Sequence, residues 1–409
     1  MFARRAGWDL SRNPLSLAVE ARRARGAEVV DLTDANPTRA GLLAGGEALA
    51  RALAEVARDT AVRRYEPDPR GPRAAREAIA RYHARGGREI DPERVVLTAG
   101  TSEGYAHLFR LLADPGQRVL VPRPGYPLFD FLAGLEGVET GSYPLVRRGG
   151  GFRIDLDALA REAADPRVRA LLAVHAHNPT GAFVHVDDAH ALRALCREHG
   201  LALVSDEVFA ESALEPAAEE ERLASLLDPR DDAPLHFVLS GASKLLALPQ
   251  LKLSWIVVAG ARALRDEAAA RLEAIADTYL SVSPVLAACL PALLEARPAI
   301  EAQLRARVRA NRDELAKQVA ATPCAELLPV EAGFAAILEL GDADAPAPDE
   351  EALALACVER AGVLVHPGFF FDFEDDGRAR LVVSLLAEPE PFAAAARALL
   401  AVAAEACAS

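Results

Sequence analysis

The sequence predicts an α/β protein: a large three-layer α/β/α domain around a mainly parallel sheet, and a smaller α+β domain built from both chain ends. Three observations lead there. Short apolar runs alternate with helix-period stretches from about residue 95 to residue 285, the rhythm of a parallel sheet covered on both faces. The 409 residues exceed what one hydrophobic core usually organises. After about residue 320 the strand signals are fewer and more widely spaced than in the middle of the chain.

Residues 1–49 are rich in loop signals: Asn13-Pro14, Asn36-Pro37 and a glycine-rich stretch before Glu47. A helical pattern then runs to about Val62. The segment Tyr65-Glu66-Pro67-Asp68-Pro69-Arg70-Gly71-Pro72 is a rigid turn that opens a helix at Arg73. Val95–Leu97, Val119–Val121, Ala170–Val174, Ala202–Val204, Phe237–Leu239 and Trp255–Val258 have the apolar character of buried strands. Between them, Thr101–Leu112, Asp187–His199 and Arg262–Ala276 have helical spacing. Pro284 to Val319 is an almost unbroken helical pattern, expected to connect two domains, and its charges (Arg305, Arg307, Arg309, Arg312, Asp313) are expected on a solvated face. Leu327–Leu340, Val363–His366 and Leu381–Leu386 supply strands of the smaller domain. The expected division is a large domain over 50–285, with 1–49 and 286–409 forming an N-terminal arm and small domain.

Composition limits the function. The chain is 51% hydrophobic and 26% charged, ordinary for a globular protein, and its net charge of −14 argues against nucleic acid as a main partner. The five cysteines are Cys196, Cys289, Cys324, Cys357 and Cys407, odd in number and widely spaced, which indicates neither a disulfide framework nor a zinc site. No apolar segment follows Met1-Phe2-Ala3-Arg4-Arg5, and no stretch is long and uncharged enough to span a bilayer. A soluble, cytoplasmic protein is expected.

The chemistry-bearing residues fall where ligands of a parallel sheet bind, in the loops after the strands. Only three of the 46 basic residues are lysines: Lys244, Lys252 and Lys317. Arginine stays protonated, whereas a lysine amine loses its proton and attacks carbonyls. Lys244 and Lys252, eight residues apart in an apolar stretch, suit a Schiff-base lysine with a second cation for a phosphate; two snorkelling surface lysines are the plain alternative. Gly100-Thr101-Ser102, at a strand-to-helix junction, offers backbone N–H groups and hydroxyls to an anion, or simple helix capping. Tyr126, between Pro124 and Pro127, stands ready to stack on a flat ring or to pack. Asn178, in His177-Asn178-Pro179-Thr180-Gly181, presents an amide from a turn. His175 and His177 have no third ligand at matching spacing, so no metal is expected. Asp206, just past an apolar strand, is costly to bury unless it meets a cation such as a protonated ring nitrogen.

Taken in this order, His177-Asn178-Pro179-Thr180-Gly181, Asp206-Glu207 and Ser243-Lys244 resemble the class I/II aminotransferases, the aspartate-aminotransferase-like pyridoxal-phosphate enzymes of fold type I, over nearly the whole chain. The resemblance implies a seven-stranded large-domain sheet and pyridoxal 5′-phosphate as cofactor. It implies a catalytic set of Lys244, Asp206 and Tyr126: the Schiff base and proton carrier, the partner of the pyridinium nitrogen, and the ring stacker. Asn178 would bind the ring O3′ and the substrate, and Gly100, Thr101, Ser102, Ser243 and Lys252 the phosphate. Tyr65, in Tyr65-x5-Gly71, resembles the tyrosine lent to the partner subunit's phosphate, which implies a homodimer with shared active sites. Asn36, in Asn36-Pro37-Thr38-Arg39, resembles a substrate-binding residue of alanine- and aspartate-type members.

Three positions depart from the family pattern. Lys252 stands where arginine is usual, keeping the charge but losing the bidentate fork. Phe209 replaces a tyrosine that donates to O3′, so the Schiff base is expected to hold its proton to higher pH. The arginine for the substrate carboxylate has two registers: matching the Arg-Leu start selects Arg380, whereas matching Ser384-Leu385-Leu386-Ala387-Glu388-Pro389-Glu390 puts Val383 there and leaves the role to another residue such as Arg39. The function expected is transfer of an amino group from an amino acid to a 2-oxo acid. A lyase or decarboxylase on the same cofactor, or a non-catalytic cofactor-binding protein, are the alternatives.

Overall fold

The computed structural model describes residues 2–59, 62, 64–84, 89–215, 223–228, 230–280, 282–341 and 347–408. In chain order the strands are β1 Val30–Asp31, β2 Val95–Thr98, β3 Arg118–Arg123, β4 Glu139–Arg148, β5 Gly151–Ile154, β6 Val168–Val174, β7 Ala202–Asp206, β8 His236–Gly241, β9 Ser254–Ala259, β10 Ala325–Leu327, β11 Ala335–Leu340, β12 Val363–Leu364, β13 His366–Pro367 and β14 Ala379–Ser384. The main sheet has the order β2-β9-β8-β7-β6-β3-β4-β5. Strands β4, β3, β6, β7 and β8 are mutually parallel, while β9 is antiparallel to both β8 and β2.

All six apolar runs are strands of this sheet, and successive residues alternate between its faces. Val119, Val121, Ala170 and Leu172 enter one core, with Tyr105, Leu108 and Phe109 of helix Thr101–Leu112 and Leu272 of helix Arg262–Tyr279. Leu120, Leu171 and Ala173 enter the opposite core, with Leu192 and Cys196 of helix Val186–His199. The layers are therefore helix, sheet, helix.

The sheet carries eight strands rather than seven. The additional one, β5, returns antiparallel on the outer end of β4 through Gly149 and Gly150, both at positive φ (60° and 87°), the backbone that a two-residue hairpin turn needs. Strand β4 escapes an apolar-run search because its sequence, Glu-Thr-Gly-Ser-Tyr-Pro-Leu-Val-Arg-Arg, buries only alternate positions in part. The helix expected to reach Val62 spans Ala44–Val56; residues 60, 61 and 63 lie outside the described residues.

The second sheet is antiparallel, in the order β10-β11-β14-β13, and β1 pairs in parallel with β12, joining the N-terminal segment to the C-terminal part. The Leu327–Leu340 stretch is not one strand: β10 ends at Leu327 and β11 begins at Ala335. The connecting helix is interrupted at Cys289, giving Pro284–Ala288 and Leu290–Val319. Leu290, Leu293, Ile300, Leu304, Val308, Leu315 and Val319 form its buried stripe, three or four residues apart as helical packing requires.

The arginine run on this helix is only partly a solvated face. Arg307 Nη1 donates to the carbonyls of Ala40 (2.8 Å), Leu386 (2.9 Å) and Ala387 (3.2 Å). Buried Asn311 Nδ2 donates to Leu385 O and Ala387 O, both at 2.8 Å. These donors satisfy carbonyls of the N-terminal segment at Ala40 and of the chain that leaves β14.

Candidate active site

A cavity of about 440 Å³ opens at the C-terminal ends of the parallel strands, within the range of small-molecule sites. Thr101, Ser102, Tyr126, Asn178, Asp206, Ser243 and Lys244 all line it. They come from the ends of five strands far apart in sequence, and the sheet brings them together.

Asp206 is the last residue of β7 and is buried. Its carboxylate accepts from the Tyr105 hydroxyl (2.6 Å) and from the Val208 N–H (3.1 Å). Burial pushes its pKa above the ordinary carboxylate value, and these two donors only partly oppose that. The site therefore favours a cation against this oxygen pair. Lys244 Nζ donates to the Ala35 carbonyl at 2.8 Å and lies 5.9 Å from the centres of both the Phe209 and Phe334 rings. Burial lowers its amine pKa, while Asp34 pulls the other way. A lysine so placed gives up its proton more easily than one in water.

Thr101 and Ser102 do not cap their helix; they occupy its first turn, and the N-cap is Gly100, without a side-chain cap. The backbone N–H groups of that turn thus face an anion site beside two hydroxyls. A methyl built on Gly100 would lie 3.4 Å from Lys252 Nζ, so the glycine leaves room for the ammonium group. Gly241 is held by a closer approach: a methyl there would come within 2.2 Å of Ser254 Oγ. Tyr126 lies at the cavity rim, its ring edge-on to Phe129, and the Gly125 N–H before it donates to Phe371 O at 2.7 Å.

Five expected residues are not part of the cavity's lining: Gly100 and Lys252, which lie against each other beside Thr101, and three that stand elsewhere. Arg380 does not line the cavity. Its side chain is 5% exposed and pairs with Glu339 (2.9 Å) and Asp376 (2.5 Å), so the expectation that it grips a substrate carboxylate is not supported by this geometry. Val382, two residues on and therefore on the same strand face, reaches the cavity, as do Val383 and Ser384. Asn36 caps the turn Pro37–Arg39, its Oδ1 accepting from Thr38 N (3.0 Å) and Thr38 Oγ1 (2.7 Å); its neighbour Ala35 is the one that lines the cavity. Tyr65 is 78% exposed and outside the cavity of its own chain. His175 and His177 face Leu223 O and Thr180 Oγ1, and among the described residues no group of three metal-ligating side chains lies together.

Tyr105, Ser254 and the small-sheet residues Phe334, His366, Phe371 and Ser384 also line the cavity, and sequence reasoning did not select them. Tyr105 carried a usable signal, since it follows Thr101 by four residues and shares its helix face. Ser254 carried one only through the strand register that sets it opposite Gly241.

A family model described as aminotransferase class I and II matches residues 28–390. The chain belongs to this family. Arginine–pyruvate transaminase AruH of Pseudomonas aeruginosa is 32% identical over 326 residues, covering 79% of this chain and 78% of that protein. The aspartate/prephenate aminotransferase of Thermus thermophilus is 30% identical over 374 residues, 89% of this chain and 88% of that one. Among solved structures, alanine aminotransferase from Pyrococcus furiosus shares the fold, with a TM-score of 0.87 over 99% of this chain and 100% of that chain at 20% identity. A single mutant of the Thermus thermophilus aspartate aminotransferase superposes with a TM-score of 0.80 at 25% identity, over 98% and 99% of the two chains. As a class I/II aminotransferase this chain is a transaminase of the pyridoxal-phosphate-dependent kind.

Proposed function

We propose that the cavity holds pyridoxal phosphate covalently through Lys244 Nζ and that the transaminase exchanges amino acid and 2-oxo acid there. One observation carries this reading: a lysine amine of lowered pKa and a buried aspartate of raised pKa open into one cavity beside an uncapped helix N-terminus. The residues present fit the cofactor. Asp206 would meet its ring nitrogen, Asn178 its ring oxygen and Tyr126 a ring face. Its phosphate would meet Gly100, Thr101, Ser102, Ser243 and Lys252. When bound, pyridoxal phosphate supplies the electron sink that lets a C–H bond next to nitrogen ionise. Lys244 Nζ accepts the α-proton of the bound amine and returns it, since burial keeps a share of this amine unprotonated. The apolar Phe209 and Phe334 rings beside Nζ keep water from that proton.

The same reading makes the functional unit a homodimer, to whose second site the exposed Tyr65 is lent. The unit divides into a large domain over 50–285 and an arm and small domain over 1–49 and 286–409, in line with the two sheets and the β1–β12 pair. A cytoplasmic location fits five cysteines that are all free thiols. No helix among the described residues is long and apolar enough to cross a membrane.

Borohydride reduction of the cofactor-loaded protein, followed by peptide mass mapping, tests the assignment. The cofactor mass is expected on the peptide holding Lys244. Lys244→Ala is expected to retain none and to lose at least about a thousandfold in turnover. A label on another lysine, or none, sinks the reading.

A further inference from the structure

Helix Thr101–Leu112 meets the cavity at two places. Its first turn carries Thr101 and Ser102, the hydroxyls proposed for the phosphate. One turn on, Tyr105 lines the same cavity and is 2% exposed. Its hydroxyl donates to Asp206 Oδ2 at 2.6 Å, while the Val208 N–H donates to Asp206 Oδ1 at 3.1 Å. The Tyr105 ring lies edge-on to Phe129, with centroids 5.3 Å apart and planes at 73°, and tilted against Phe109, at 5.9 Å and 32°. Packing between these rings restricts the rotation that would carry the hydroxyl away from the carboxylate. The chemistry proposed for Lys244 and Asp206 makes no use of this hydroxyl.

Burial favours the neutral acid at Asp206, and a neutral acid offers no charge to a ring nitrogen. The Tyr105 hydroxyl acts the other way, because a hydrogen bond to a charged oxygen is about twice as strong as one to a neutral oxygen. The ionisable groups that face Asp206 are Tyr105 from the helix and Tyr126 from the loop after β3. Burial, and then the charge of Asp206, push both phenols up, so both keep their protons at neutral pH. Of the two, Tyr105 makes the hydrogen bond. With a ring nitrogen against Asp206, one proton is shared between nitrogen and oxygen. It sits either on nitrogen beside a carboxylate or on oxygen beside a neutral ring. The Tyr105 hydrogen bond strengthens the first arrangement more than the second.

We propose that Tyr105 is a positioning residue of the transaminase: acting through Asp206, its hydroxyl keeps the shared proton on the cofactor's ring nitrogen. The proposal rests on the placement of that nitrogen at Asp206, and the experiment separates the two. Tyr105→Phe removes the hydroxyl and keeps a ring between Phe109 and Phe129. In the cofactor-free protein, carbon-13 NMR of labelled aspartate carboxyls follows the titration, with Asp206→Asn to assign the signal. Asp206 is expected to bind its proton about tenfold more tightly in Tyr105→Phe, the preference that one charge-assisted hydrogen bond gives the charged form. An unchanged titration overturns the proposal.

Holoenzyme carrying pyridoxal phosphate labelled with nitrogen-15 in its ring gives the second measurement. The wild type is expected to show a protonated ring nitrogen, and Tyr105→Phe a signal displaced toward the unprotonated form. An unprotonated nitrogen in the wild type sinks its placement at Asp206, and the proposal with it. A protonated nitrogen that does not move in Tyr105→Phe leaves the placement standing and overturns the role of Tyr105 alone. Phe109→Leu loosens the packing of the same ring and leaves the hydroxyl in place. It is expected to melt lower than the wild type with the nitrogen signal unmoved. The same displacement in both variants would show that Tyr105 acts through packing and would overturn the proposal.

Discussion

The two walls of the cavity differ in what holds them. The polar wall stands on β7, β8 and their parallel neighbours, whose residues are buried on both faces and hydrogen-bonded to strands on both sides. The apolar part of the lining belongs to the four-stranded sheet and its turns: Val382 lies on β14, Phe334 just before β11, and Phe370 and Phe371 in the turn Gly368–Phe371. Strand β14, paired with β11 and β13, is braced further by Arg380 on Glu339 near its start and by Arg307 and Asn311 on carbonyls beyond its end. The difference teaches that one wall depends on main-chain pairing, while the other depends on such pairing together with an ion pair that one substitution can loosen.

The largest effect is expected at the polar wall. Asp206→Asn removes the charge without the shape, so turnover should fall about a hundred- to a thousandfold. The cofactor-free protein should melt no lower than the wild type, because a buried carboxylate with a raised pKa is lost while the Tyr105 hydroxyl still finds an oxygen. Thermal melts of the cofactor-free and loaded proteins check this. A cofactor-free variant that is markedly destabilised would break the comparison, since the carboxylate would then be structural.

Arg380→Ala acts on the other wall and through stability. It takes from Glu339, 4% exposed, its closest partner and leaves it Arg147 at 3.1 Å, at a cost of about 2 kcal/mol. KM for a neutral amino donor should stay within about threefold. Denaturant melts and steady-state kinetics separate the two. An unchanged melt with a large rise in KM would return Arg380 to the substrate.

The smallest expected effect sharpens the view of the polar wall's foundation. Burial holds His177 and His236 at about 3, against an ordinary 6.5. Between those values the unfolded chain binds the extra protons, so their contribution is fully present above about pH 6.5 and is lost as pH falls toward 3. Stability should therefore drop between pH 7 and pH 5 by up to about 1.4 kcal/mol per pH unit for each imidazole. Denaturation midpoints across that range check the slope. A flat profile, or one unchanged in His236→Gln, would show that these rings do not titrate as buried groups.

Much of this protein is legible in its sequence. Six apolar runs foretold six strands because a strand buried on both faces excludes polar residues. Lys244, Asp206, Asn178, Thr101 and Ser102 were legible because they interrupt apolar runs at strand ends, where polar groups need a reason to stand. Strand β4 was not, because a half-exposed strand mixes residue types and, with Pro144 in it, carries no continuous run. The apolar wall was not either: Phe334, Phe371 and Val382 have the same sequence signature as core, and only tertiary structure shows which apolar residues border a cavity.

The residue types thus determined by themselves the α/β architecture, the parallel sheet and the chemistry at its strand ends, since burial and backbone pairing act over a few neighbouring residues. Tertiary structure alone decided which β14 residue reaches the cavity. Arg380, Val382 and Ser384 share a strand face, and periodicity cannot rank them. The packing of Arg380 against Glu339 and Asp376, contributed by β11 and by the loop before β14, withholds the arginine and presents valine instead.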